Sequence, residues 1–276
     1  RLSSATSCTK SILSGNAWWL TGCPIINMRI DVITLFPSLV QQVVSCGVVG
    51  RAAEQGLLEF HCWNPREYTV DKHRTVDDRP YGGGPGMLMK VQPLQDTIRA
   101  VREQNPQARL VYLSPQGALL KQRKLASQVA LGSVILLCGR YEGIDERLIQ
   151  QEVDEEWSLG DYFISGGELA AMVCIDAMTR LLPGALGDDD SAQQDSFSEG
   201  LLDYPHYTRP EDYQGDRVPS VLMNGNHRDI VAWREQQALG RTWQRRPDLL
   251  EAIRLDERQQ GLLDEFIAEF ERTRKR

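Results

Sequence analysis

The chain has 276 residues, 41% of them hydrophobic and 25% charged, with a formal net charge of -7. That length allows one large domain or two ordinary ones, the composition is that of a globular protein with a real core, and no apolar run reaches the roughly 20 residues of a membrane span. The acidic balance argues against a general nucleic-acid coat protein, which would be basic, but not against a local basic groove, because phosphate contacts need only a cluster.

Residues 1–27 differ from the rest of the chain: they hold no acidic residue, show little periodicity, and scatter Ser, Gly and Trp. They lack the continuous apolar core and small-residue cleavage site of a signal peptide. Met28 reads as the natural start, with 1–27 a non-native or disordered extension; without it the net charge is -9. Residues 28–36 alternate and are rich in β-branched side chains, predicting a first strand, and Pro37 ends it. Helical spacing follows over 38–55, through Leu39, Val43, Val44 and Val48, and then a second strand over 57–62.

Residues 64–86 form a long loop of charges, prolines and glycines, and such loops inside compact domains are usually functional or disordered. Its segment Tyr81-Gly82-Gly83-Gly84-Pro85-Gly86-Met87 invites a phosphate-binding reading. No Lys-Ser or Lys-Thr follows Gly86, and the G-x-G-x-x-G spacing fails, so nucleoside triphosphate and dinucleotide sites are set aside. A mobile surface loop and a substrate-facing lid stay as equal readings. Beyond Pro93 the pattern predicts a helix to about residue 103, a strand over 109–113, a turn at Ser114-Pro115-Gln116-Gly117, a helix over 121–131 and a buried strand over 134–138. This alternation predicts an α/β fold, a mainly parallel sheet with helices on both faces.

Residues 138–170 hold the densest pattern. Cys138-Gly139-Arg140-Tyr141-Glu142-Gly143 follows the apolar run, a short helical piece leads to an acidic stretch around Glu155, and a second apolar run, Tyr162-Phe163-Ile164, predicts a strand stopping at Ser165-Gly166-Gly167. Residues 168–182 have the periodicity of a helix. Singly, Gly117, Gly139 and Gly166-Gly167 are turns. Together they fall after different strands, at the sheet edge where ligands bind in open α/β folds, and could expose backbone groups suited to adenine and ribose. Residues 187–194 are polar and aperiodic, and helices over 228–239, 246–254 and 257–274 predict a small all-α C-terminal domain. The organisation is then 28–187, a linker over 188–200, and a helical domain over 201–276. The six cysteines match no zinc spacing; Cys138 and Cys174 read as buried free thiols, and the compartment as a reducing cytoplasm.

Gly139-Arg140-Tyr141-Glu142-Gly143-Ile144-Asp145-Glu146-Arg147, Gly160-Asp161-Tyr162-Phe163-Ile164-Ser165-Gly166-Gly167-Glu168-Leu169 and Asp195-Ser196-Phe197 resemble the bacterial tRNA (guanine-N1)-methyltransferase family, the TrmD type, of the SPOUT class. The similarity runs from Met28 to about Phe270. It implies a deep trefoil knot at the C-terminal side of the sheet domain, against the general expectation that chains do not thread. It also implies S-adenosylmethionine held among the loops, at Tyr112, Leu113, Pro115, Gly117, Gly139, Tyr141, Glu142, Ser158, Leu159, Gly160, Asp161, Tyr162, Phe163, Ile164, Gly166 and Gly167, with the need for Mg2+ left open. Ala170 departs from the proline that many relatives carry, which leaves the loop less rigid. The family works as a homodimer, and the apolar helix from Glu168 offers interface surface.

Asp195 by itself reads as a helix N-cap, and Arg180 as a cation at a helix C-terminus. The chemistry implied by the resemblance asks more of them. Guanine N1 carries a proton at neutral pH, so methylation there requires a base, and charge building on O6 calls for a cation. The resemblance assigns these roles to Asp195 and Arg180. Arg241, Trp243, Arg245 and Arg246 fall in one predicted turn region that suits phosphate contacts with a stacking option. The resemblance implies the anticodon region of tRNA as the partner there, with Asp77, Asp203, Asn226 and His227 also facing RNA; His227 is equally a helix-cap residue. The expected activity is N1 methylation of guanine at position 37, next to the anticodon. Ribose 2′-O-methylation, which would not need Asp195, and a non-catalytic RNA-binding module are the alternatives.

Overall fold

The computed structural model describes residues 27–187, 196–197 and 200–274. The extension over 1–26, the linker over 188–195 and 198–199, and with it Asp195, lie outside the described residues. The chain divides into two compact units, Arg1–Asp189 and Asp190–Arg276.

The first unit runs β1 (Met28–Ile33), α1 (Pro37–Gln41), α2 (Gly47–Glu54), β2 (Leu58–Trp63), β3 (Asp77–Asp78), β4 (Leu88–Met89), α3 (Val91–Gln104), β5 (Arg109–Leu119), α4 (Gln122–Val129), β6 (Ser133–Cys138), α5 (Glu146–Glu152), β7 (Glu155–Ser158) and α6 (Glu168–Thr179). Its main sheet has the order β2-β1-β6-β5-β7, with every neighbouring pair parallel. A parallel sheet needs cover on both faces, and the strand period of two supplies it. Val134, Leu136 and Cys138 of β6 join a core with Val49, Leu125, Ala171 and Ile175, so α2, α4 and α6 lie on that face. Ile135 and Leu137 join a second core with Leu94, Ile98 and Leu148, which puts α3 and α5 on the other. Asp31 sits fully buried on β1. It accepts hydrogen bonds from Arg29 Nε at 2.9 Å, Trp63 Nε1 at 2.9 Å and Asn105 Nδ2 at 2.9 Å, which offsets the cost of burying a carboxylate.

Three predicted elements differ. The helix over 38–55 is broken: α1 passes into a 3-10 turn, Gln42–Val44, and α2 restarts at Gly47, whose φ of +66° is left-handed backbone that favours glycine. Apolar spacing is the same on both sides of such a break. Residues 162–164 are not a strand; the strand is β7, inside the acidic stretch. Its Glu155 accepts from Arg109 at 2.7 Å, Lys124 at 2.5 Å and Trp157 Nε1 at 2.8 Å, so neighbouring cations make acidic residues compatible with a strand. Finally, β5 does not end at Leu113. It loops out between Leu113 and Ala118 and resumes pairing with β7.

The second unit contains α7 (His227–Arg245), α8 (Pro247–Glu251) and α9 (Glu257–Arg274). It is not all-α: a short antiparallel hairpin, β8 (Asp212–Tyr213) with β9 (Asp216–Arg217), turns through Gln214 and Gly215, both with positive φ, as a tight hairpin requires. Gly240 of α7 lies directly under the Phe266 ring, where a Cβ would collide with it. Trp243 packs edge-on to Phe270 at 5.9 Å. Arg241 and Arg245 therefore stand on a helix rather than in a turn region, and Trp243 is committed to helix packing. No helix among the described residues is long and apolar enough to cross a membrane.

Candidate active site

The carboxyl ends of β5, β6 and β7 converge on one cleft. Its walls include Tyr112, Leu113 and Pro115 from β5, Gly139, Tyr141 and Glu142 after β6, and Ser158, Leu159 and Gly160 after β7. Tyr162, Phe163, Ile164, Gly166 and Gly167, ahead of α6, complete it. Gly117 and Asp161 are not wall residues. A Cβ on Gly117 would run into the Glu156 backbone, so its glycine lets β5 lie against β7. Sequence reasoning missed Ser114, Gln116, Arg140, Gly143, Trp157 and Ser165, which also line the cleft. Gln116 comes from the looped-out part of β5, for which Pro115 and Gly117 were the available signal.

Close backbone approach stitches the loops together. Gly167 N donates to Gly139 O at 3.0 Å, and a Cβ on Gly167 would lie 2.7 Å from Cys138 Cα. No larger residue fits that approach without displacing backbone. Tyr112 packs beneath Gly139, where a Cβ would lie 2.8 Å from its hydroxyl. Burial, with Glu156 nearby, pushes the Tyr112 phenol up to about 12, so it is neutral and keeps its proton at physiological pH. Burial likewise pushes the Cys174 thiol up to about 12 and Cys138 well above its ordinary value; both are inert core groups.

Arg140, a wall residue, and Glu168 tie the loops of the cleft together. Arg140 Nη1 donates to Ser165 O at 2.9 Å, and its guanidinium lies 4.4 Å from the Phe36 ring centroid. Glu168, at 1% exposure, accepts from Thr34 Oγ1 at 2.9 Å. Arg140 Nε and Glu168 Oε2 are 3.0 Å apart, yet neither atom completes a hydrogen bond; the contact is a charge pair without N–H alignment. It ties the end of β1, the loop after β6 and the start of α6 to each other.

The long loop is rooted beside this cleft. Glu142 N donates to Met87 O at 2.9 Å and Met89 N to Gly143 O at 3.0 Å. Tyr141, held at φ +58°, brings its hydroxyl within 3.5 Å of Asp77 Oδ1. Asp77, expected from the sequence to face RNA, therefore meets a wall residue of the cleft. Arg180 is the C-cap of α6 and is not a wall residue. In the second unit, Asp203 holds His206 at 2.8 Å and accepts from Tyr204 N at 2.8 Å. Asn226 caps α7 by accepting from Arg228 N at 3.2 Å, so it and not His227 is the cap. Arg246 is drawn to Asp248 at 2.6 Å, whereas Arg245 is exposed on α7. Among the described residues, no three His, Cys, Asp or Glu side chains gather as a metal-binding group.

A parallel α/β sheet whose carboxyl edge carries a cleft of interlocked glycine turns defines a ligand-binding catalytic domain rather than an interaction module. The model of the tRNA (Guanine-1)-methyltransferase TrmD family matches residues 28–252, and the chain belongs to that family. It is 64% identical over 251 residues to a tRNA (guanine-N(1)-)-methyltransferase of Halorhodospira halophila, covering 91% of this chain and 95% of the relative. It is 56% identical over 249 residues to the Vibrio vulnificus (strain YJ016) enzyme of the same name, covering 90% and 100%. For the Shewanella amazonensis enzyme, also so named, the identity is 58% over the same length and the same shares.

Proposed function

We propose that the chain methylates N1 of guanine in tRNA, at position 37 next to the anticodon, with S-adenosylmethionine as donor. The observation that carries the reading is the glycine-stitched cleft in a chain of this family. S-adenosylmethionine supplies an electrophilic methyl group on a sulfonium. The fit lies in backbone N–H and C=O groups brought close by Gly139 and Gly167, with the neutral Tyr112 ring beneath them, a surface for an adenosine that carries no phosphate. Asp195 takes the proton from guanine N1, the N1 lone pair forms the new N–C bond, and the C–S bond breaks to leave S-adenosylhomocysteine. Arg180 offsets the charge that builds on O6. The second unit grips the RNA through Arg241 and Arg245, with Asp77, Asp203, Asn226 and His227 facing it; Arg246 would first have to leave Asp248. The loops after β5, β6 and β7 would form the knot of the SPOUT class, and the setting would be the cytoplasm. Digestion of tRNA incubated with donor and protein, followed by mass spectrometry of the nucleosides, should yield 1-methylguanosine. A 2′-O-methyl product or no product would overturn the proposal.

The active form is proposed to be a homodimer. Leu169 and Val173 are each 52% exposed one turn apart on α6, and Phe163 is 91% exposed ahead of it, an apolar surface that a second copy would cover. Sedimentation at micromolar concentration should give twice the chain mass. Val173→Glu, which would bury an unpaired charge in such an interface, should give the single-chain mass and lose methylation. A wild-type chain that stays monomeric and active would refute the assembly.

A further inference from the structure

The second unit carries a groove that the catalytic scheme does not use. Its walls include Tyr204, Tyr207, Arg209, Glu211, Trp233 and Arg234, and its volume is about 1090 Å3. Tyr207 and Trp233 meet with ring centroids 6.3 Å apart and planes at 50°, so they do not stack on each other. Tyr207 is 48% exposed. The Arg234 guanidinium lies 4.8 Å from the Tyr204 ring centroid, which fixes its plane. Its Nε is buried and donates to no group among the described residues.

The walls offer aromatic faces, a planar guanidinium and a second arginine, Arg209. Single-stranded RNA is held by that combination: bases stack on aromatic rings and guanidinium planes, their edges accept hydrogen bonds, and cations meet the phosphates. We infer that this groove takes an unstacked nucleobase of the RNA substrate, its face against the exposed Tyr207 ring, with the Arg209 and Arg234 guanidinium groups in the wall for its edge and the adjoining phosphate. The inference rests on the proposal that tRNA is the substrate gripped by this unit.

The test uses the full chain and unmodified tRNA. Arg234→Met keeps the packing stem and removes the guanidinium from the wall; Tyr207→Ala removes a stacking face. Each should weaken tRNA binding by roughly 5–150-fold, the range of one stacked base, with S-adenosylmethionine affinity unchanged and the Arg234→Met melting temperature no lower than wild type. Photo-crosslinking should join Tyr207 or Trp233 to one unpaired nucleotide. Tyr207→Ala should leave the salt dependence of binding unchanged, because a base contact releases no counterions. Arg241→Ala/Arg245→Ala serves as the control. If it weakens binding while both groove variants lose less than about fivefold, the groove assignment is wrong and the tRNA grip stands. If neither set weakens binding, the grip itself fails, and the groove with it. A change of sedimentation in Arg234→Met would show that a second copy covers the groove, which also overturns the assignment.

Discussion

Replacing Asp195 by asparagine is expected to slow single-turnover methylation by ~10²–10⁴-fold, the usual contribution of a general base. The proton on guanine N1 must leave before the lone pair can attack, and an amide of the same size cannot accept it as a carboxylate does. S-adenosylmethionine affinity should stay near wild type, because the described walls of the cleft come from β5, β6, β7 and the loops that follow them. That pattern, a loss confined to the chemical step, marks an interaction made only in the transition state. A rate within about threefold of wild type, far below the general-base range, would reduce Asp195 to a helix cap.

The second large effect should fall on stability. Glu168→Leu removes the acceptor of Thr34 Oγ1 and the charge opposite Arg140, leaving a guanidinium whose side chain is only 20% exposed. Breaking a buried pair from one side costs ~3–5 kcal/mol, and the residual exposure of Arg140 puts the expectation at about 3 kcal/mol in urea unfolding of the first unit. S-adenosylmethionine binding should weaken as well, since Arg140 also holds the Ser165 carbonyl beside the cleft. The double variant Glu168→Leu/Arg140→Met should recover part of the stability, because replacing both charges by apolar groups removes the uncompensated one. Losses that simply add in the double variant would mean that the two residues act independently.

Much of the scaffold is legible in the chain itself. The run Val134-Ile135-Leu136-Leu137 reads as a buried strand from its length and β-branched residues, and the strand pattern from Met28 and the helical spacing ahead of Arg274 follow from local periodicity. The glycines after β6 and before α6 marked the cleft, since a missing Cβ matters only where backbone or a ring comes close. Other features were decided by partners distant in sequence. The acidic β7 exists because Arg109 and Lys124 neutralise Glu155, and nothing inside the segment announces them. That the Glu156 backbone leaves no room for a Cβ at Gly117 is likewise visible only in the fold. Trp243 reads as a stacking residue in the sequence, and only the fold shows its edge-on contact with Phe270. Arg140 and Glu168 lie 28 positions apart in the chain and meet at 3.0 Å, and that Arg234 Nε is buried with no acceptor among the described residues follows from packing alone. Local sequence sets which backbone forms are possible; charge compensation, close approach and the fate of a buried donor depend on what tertiary packing places opposite them.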